Sequence, residues 1–219
     1  EDVAFEINAL TPGALAAAAA ARKIPFLHLS TDYVFDGTPG AAWLPADRAS
    51  PLSAYGRTKL AGEEAVAAAR GVHAILRTSW IFSAHGQNFV KTMLRLSTER
   101  DARDALAIVD DQIGCPTAAA DVADAFLSLA QALHDGDGKT GVYHFAGQPA
   151  VSWHGFAKEI FCAADLAVNT TPIASCDYPT PAARPLNSVL NSASLLADYG
   201  ISAPDWRASL RDVLAELKG

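Results

Sequence analysis

The sequence predicts an α/β protein built on a parallel β-sheet, followed by a smaller and less regular C-terminal module. Apolar strand-like runs alternate with segments of helical period along most of the chain, the pattern of strands joined by crossover helices. Half of the 219 residues are apolar, enough to bury a core in one domain or two small ones. A Pro-rich stretch from Pro172 to Pro185 then breaks the alternation. No internal repeat or low-complexity linker interrupts the chain.

Thr11 and Pro12 form an N-cap and first-turn signal for an alanine-rich helix ending near Lys23. An apolar strand follows from Ile24 to Leu29, with Ser30 and Thr31 at its tip, and a long loop runs from Asp36 to Ser53. The Ala- and Glu-rich segment from Gly56 to Arg70 reads as a helix stopped by Gly71. His73 to Thr78 is a second apolar strand leading into Ser79 and Trp80. Asn88 to Thr98 reads as a helix, Leu106 to Val109 as a short strand, and Ala118 to Leu133 as an amphipathic helix. The polar, Gly-rich turn Asp135 to Gly141 precedes strand Val142 to Phe145. Helix Trp153 to Ala163, the Pro-rich stretch and a terminal helix near Asp205 to Leu217 complete the chain.

A net charge of −7 argues against a nucleic-acid backbone as the main partner, because phosphate binding needs clustered Lys and Arg. A single anionic ligand needs only a local positive patch, for which Lys91, Arg95 and Arg184 are candidates. The longest apolar stretch, Ala14 to Ala21, is too short to span a bilayer, and no signal peptide is recognised at the start. A cytoplasmic location and no membrane partner are expected. The three cysteines, Cys115, Cys162 and Cys176, show no metal-ligand spacing and are assigned no chemistry.

Tyr55 and Lys59 stand four apart on one helix, so both side chains emerge from one face about one turn apart. An ammonium beside a phenol favours phenolate and lowers a reference pKa of about 10, which lets the tyrosine exchange a proton near neutral pH. Thr31 ends a strand where open parallel sheets present side chains to a ligand crevice. Its hydroxyl suits the orientation of a carbonyl or alcohol.

This strand, threonine and Tyr-x-x-x-Lys helix resemble those of the extended short-chain dehydrogenase/reductase family. STDYVFDG at 30 to 37, YGRTKLAGE at 55 to 63, RTSWIF at 77 to 82, NFVKTMLRL at 88 to 96, DQIGCPT at 111 to 117 and TPAARPLNS at 180 to 188 resemble, in order and spacing, the dTDP-4-dehydrorhamnose reductase family. Related sugar-nucleotide dehydratases carry Asp then Glu directly after the threonine to drive elimination. Here that second position is Tyr33, which favours simple carbonyl reduction.

The resemblance implies an NAD(P)-binding, Rossmann-type doubly wound sheet over residues 1–148 and a substrate-binding domain over 149–219, with 74–98 contributing to the substrate side. No GxGxxG or GxxGxxG occurs, although such a fold normally begins with a glycine-rich turn that receives the pyrophosphate. The start of the chain resembles the middle of the family's domain. By that reading roughly 70 residues, the first two β-α units, are absent, and the isolated 219 residues should bind cofactor weakly or not at all and be inactive alone.

The implied reaction is reduction of a 4-keto dTDP-sugar by NADPH, with NADH as an alternative. Tyr55 would donate a proton to the developing alkoxide, Lys59 would lower its pKa and meet the nicotinamide ribose, and Thr31 would hold the same oxygen. Ser30 is placed on the cofactor side. Asp32, Trp80, Asn88, Gln112 and Arg184 carry over as substrate contacts, with Thr117 a weaker candidate and Pro116 shaping its loop. A metal site is not predicted, because the residues after Thr117 are Ala118, Ala119 and Ala120. The resemblance leaves room for a homodimer. Two alternatives stay open: another sugar-nucleotide reductase or epimerase of the superfamily, and a non-catalytic NADP-binding regulatory subunit.

Overall fold

A computed structural model describes residues 1–99, 105–180 and 182–218. In chain order it opens with α1 (Asp2–Phe5), a π-helical turn (Glu6–Leu10) and α2 (Thr11–Ala21), followed by β1 (Phe26–Thr31) and α3 (Ala54–Ala68). Next come β2 (His73–Thr78), β3 (Ile81–Phe82), α4 (Phe89–Glu99), β4 (Leu106–Val109), β5 (Ile113–Gly114), β6 (Thr117–Ala118) and α5 (Ala119–Asp135). The chain continues through β7 (Gly141–His144), β8 (Val151–Ser152), α6 (Trp153–Ala163), β9 (Thr170–Ile173), α7 (Ala193–Tyr199) and α8 (Trp206–Lys218).

The main sheet is parallel in the order β1-β2-β7. Side chains alternate across the central strand β2, and each face is covered by helices. Ile75 packs with Ala16 of α2 and Val66 of α3, whereas Ala74 and Leu76 pack with Val122, Ala125 and Leu129 of α5. All six residues of β2 are buried, as a strand covered on both faces requires. The parallel sheet is the one expected from the alternation of elements, and its helix-covered faces give the doubly wound arrangement that the resemblance implies. Thr31 pairs in register with Thr78, so β1 and β2 end level.

A second core gathers around Phe82, Val90, Met93, Phe156, Ile160, Trp206 and Leu210. It draws on α4, α6 and α8 and lies beside three two-stranded pairings: β3 with β6, β4 with β9 and, antiparallel, β5 with β8. Residues from the middle of the chain thus pack against its C-terminal third.

Several boundaries differ from the sequence reading. Thr11 is not an N-cap, because the helix runs on from Asp2 and residue 10 is already helical. Pro12 has no N–H to offer the preceding turn, and the wider π turn just before it accommodates that loss. The exposed part of this helix carries Val3, Ile7, Leu10 and Leu15, while Ala9 and Ala16 are buried. The stretch Ala14 to Ala21 is part of a longer helix: Asp2–Ala21 runs for 20 residues and is long and apolar enough to cross a membrane by length and composition alone. The first strand begins two residues later than expected and includes Ser30 and Thr31.

Helix α3 starts at Ala54, two residues early, because the Ser53 hydroxyl accepts the Gly56 N–H at 3.1 Å and caps it. It ends at Ala68, where Arg70, not Gly71, takes the left-handed conformation at φ 55°. Gly71 serves close approach instead: a Cβ there would lie 2.8 Å from that of Ala20. Helix α7 and the two-residue strands carry too short a pattern to be read from periodicity.

Candidate active site

Thr31, the last residue of β1, donates to Asp32 Oδ1 at 3.0 Å and accepts the Tyr33 N–H at 3.2 Å, capping a 3-10 turn, Asp32–Val34. Opposite it, α3 presents Tyr55 in its first turn and Lys59 one turn later. The Lys59 ammonium donates to the Leu29 carbonyl at 2.6 Å. The Tyr55 ring packs edge-on against Tyr33, with centroids 5.9 Å apart at 74°. Only glycine admits this approach, since a Cβ at Gly56 would lie 2.1 Å from the Tyr33 carbonyl oxygen.

Thr31, Asp32, Tyr55, Lys59, Thr78 and Trp80 converge on one cavity of about 360 Å³ at the C-terminal ends of β1 and β2. That is where open parallel sheets bind ligands. Burial pushes the Tyr55 phenol above its ordinary value, with the nearby Asp32 charge adding to the rise and the Thr31 hydroxyl opposing it. The expectation that Lys59 lowers this pKa is therefore corrected. The ammonium is tied to the Leu29 carbonyl, and partial burial of the phenol outweighs any neighbouring cation. Burial also draws Lys59 itself downward, opposed by the charge of Glu63. Burial raises the Asp32 carboxyl to about 6, with Ser188 and Thr31 pulling the other way.

Trp80 holds φ 48°, a left-handed conformation uncommon outside glycine that clusters at ligand sites. Its indole stacks on Trp153, centroids 3.5 Å apart and nearly coplanar at 6°. A Cβ at Gly114 would fall 2.3 Å from the Trp80 ring. Trp153 also lines a second, more apolar cavity of about 680 Å³ that includes Phe89, Met93, Gln112, Tyr178 and Arg184. Gln112 accepts from the Trp153 indole N–H at 3.2 Å and donates to Ser175 at 2.8 Å, so it holds the wall between the two spaces.

The sequence-derived site residues thus divide into groups. Thr31, Asp32, Tyr55, Lys59 and Trp80 meet at the first cavity, and Gln112 and Arg184 meet at the second. Ser30 borders the first cavity, but its hydroxyl donates to Glu63. Asn88 borders neither: its amide donates to the Ser83 carbonyl at 2.7 Å and accepts the Lys91 N–H at 3.2 Å, capping α4. Lys91 donates to the Ala84 carbonyl, Arg95 pairs with Glu99, and Thr117 is buried between the Cys115 carbonyl and the Gly147 N–H. Trp153 and Tyr178 were not anticipated. Trp153 carries no signal beyond an apolar helix start, and Tyr178 lies in irregular chain. Among the described residues no group of three or more His, Cys, Asp or Glu is placed to hold a metal ion.

The family model described as the RmlD substrate binding domain matches residues 1–218. A dTDP-4-dehydrorhamnose reductase from Sinorhizobium fredii is 44% identical, over 95% of this chain and 71% of its own length. One from Burkholderia thailandensis is 43% identical, over 96% of this chain and 75% of its own. Among solved structures, a dTDP-4-dehydrorhamnose reductase from Clostridium acetobutylicum superposes with a TM-score of 0.91 at 37% identity, covering 100% of this chain and 75% of that one. The reductase from Bacillus anthracis in complex with NADP gives 0.89 at 34% identity, covering 98% of this chain and 74% of that one. With its sheet, its Thr31–Tyr55–Lys59 cavity and these matches over nearly every residue, the chain belongs to the dTDP-4-dehydrorhamnose reductase family.

Proposed function

We propose that this protein reduces dTDP-4-dehydro-L-rhamnose to dTDP-L-rhamnose with NADPH, the last step in making the activated sugar. The observation that carries the reading is the convergence of Thr31, Tyr55 and Lys59 on one cavity, with Tyr33 where a dehydratase would hold a second acid. The relatives are named dTDP-4-dehydrorhamnose reductases, and NADP is the ligand of the Bacillus anthracis structure.

The residues present fit such a cofactor and substrate. Thr78 and Asp32 line the cavity, and their Oγ1 and Oδ2 atoms are buried with no hydrogen-bond partner among the described residues, as expected where a polar ligand completes the set. When bound, NADPH supplies the hydride that reduces the sugar's C4. Tyr55, whose phenol stays protonated well above neutral pH, gives its proton to the oxygen developing on that carbon. Thr31 turns its one hydroxyl proton from Asp32 Oδ1 to the same oxygen and holds it toward Tyr55. Lys59 places a positive charge beside both and offers hydrogen bonds to the ribose hydroxyls. Asp32 and Trp80 border the sugar, and Gln112 and Arg184 line the larger cavity, which takes the dTDP portion. Asn88 acts through the cap of α4.

Residues 1–148 then form the cofactor side and 149–219 the substrate side, with 74–98 shared; the packing of Phe82, Val90 and Met93 against Phe156 supports that sharing. The three free thiols suit a reducing cytoplasm. The test is NADPH consumption by the full-length protein supplied with dTDP-4-dehydro-L-rhamnose. Turnover is expected; a folded protein that binds NADPH and leaves the sugar untouched would overturn the assignment.

A further inference from the structure

Tyr55, Lys59 and Glu63 recur every four residues along α3 and so form one stripe facing β1 and β2. Glu63 is a buried carboxylate in an interior where an unpaired charge is costly. Arg77 of β2 holds it in a fork, donating from Nε at 2.9 Å and from Nη2 at 2.6 Å, and the Ser30 hydroxyl of β1 donates to it as well. Side chains of the pair are 6% and 5% exposed. Arg77 is fixed in turn by the Pro45 carbonyl at 3.3 Å, by His144 at 3.4 Å and by the Phe35 ring at 5.1 Å. One carboxylate therefore ties α3 to both strands. Ser30 sits between Leu29, whose carbonyl takes the Lys59 ammonium, and Thr31.

We propose that the buried Glu63–Arg77 pair is a positioning device for the catalytic helix, holding Lys59 in register with the tip of β1. The inference rests on the reductase reading above. Among the described residues the titratable groups around Lys59 are Tyr55 and Glu63 on its own helix, His28 on β1, and Asp32 and Tyr33 across the cavity, with Arg77 of β2 behind Glu63. Burial draws Lys59 toward its neutral form and Glu63 opposes this. Burial and the Lys59 charge hold His28 down at about 4, so it adds no competing cation at neutral pH.

The test compares kcat and KM against pH in the full-length protein for wild type, the Glu63→Gln/Arg77→Met double variant and Ser30→Ala. The double variant replaces both buried charges, so it avoids leaving one unpaired. It is expected to lose about 10- to 100-fold in kcat, the scale of a small misplacement, with KM for the sugar held. Its alkaline limb should move to lower pH. Ser30→Ala keeps the ion pair and cuts only its tie to β1, so kcat should fall while the alkaline limb stays; it also decides the matter if the double variant does not fold. Variants with wild-type kcat and wild-type alkaline limbs would overturn the clamp alone. Wild type without turnover would overturn the reductase reading, and the clamp with it.

Discussion

Replacing Gly56 by alanine sets two physical effects against each other at the catalytic helix. Helix propensity alone predicts that Gly→Ala stabilises by about 1 kcal/mol. The tertiary structure predicts the reverse. An added Cβ would lie 2.1 Å from the Tyr33 carbonyl oxygen, 2.9 Å from Pro51 Cβ and 3.0 Å from the Tyr33 carbonyl carbon. Close carbon–oxygen contacts settle at about 3.3 Å, so α3 and the Thr31–Tyr33 turn must separate by about 1 Å. The neighbours are backbone and a proline ring, and neither yields by rotating a side chain. Overpacking of this kind costs about 1–3 kcal/mol, which exceeds or cancels the propensity gain. For a chain of this size each kcal/mol lowers Tm by about 2–4 °C. Activity should suffer more than stability, because the same displacement separates Tyr55 from Thr31, and a misplacement of about 1 Å costs up to about 100-fold in rate. Thermal unfolding and kcat measured on the same Gly56→Ala preparation test this. A variant that is more stable than wild type and retains full kcat would refute the close approach.

Tyr55→Phe removes the proposed general acid and should lower kcat by about 100- to 10,000-fold, about 3–5 kcal/mol of barrier. Its Tm should hold, since the residue is 48% exposed; a folded variant with near-normal turnover would count against the role. Asp32 sits at about 6 against its ordinary 3.8. Its folded pKa is raised, so the burial cost is full above the folded value and is relieved as pH falls toward the unfolded one. Asp32→Asn should therefore raise stability at neutral pH by up to about 3 kcal/mol, a gain that disappears in acid denaturation titrations. His144 runs the other way. Burial and the Arg77 charge hold it down at about 3 against 6.5, so its neutral form stabilises the fold above 6.5 and that contribution is lost as pH falls toward 3. His144→Gln should flatten the acid limb of the unfolding midpoint; an unchanged limb would mean that the imidazole is not held neutral.

Local chemistry decided much of this protein before any tertiary contact was known. The strand His73–Thr78 and the helix Trp153–Ala163 stand where their patterns place them, because an apolar run or a long amphipathic period leaves few alternatives. Tyr55 and Lys59 share a face because the helical repeat dictates it, and Thr31 reaches the cavity because it ends a parallel strand. Properties that depend on distant partners were not legible. The rise in the Tyr55 pKa comes from burial among residues far apart in sequence, and the Lys59 ammonium is claimed by a carbonyl 30 residues away. Asn88 turned out to cap a helix, Trp153 to divide two cavities, and Glu63 to find Arg77 and Ser30. Residue type and spacing determine which groups a turn of helix or a strand end presents. Which of them are desolvated, paired or left free to meet a ligand is settled only when the sheet brings those elements together, because desolvation and hydrogen bonding act over a few ångströms of space rather than along the chain.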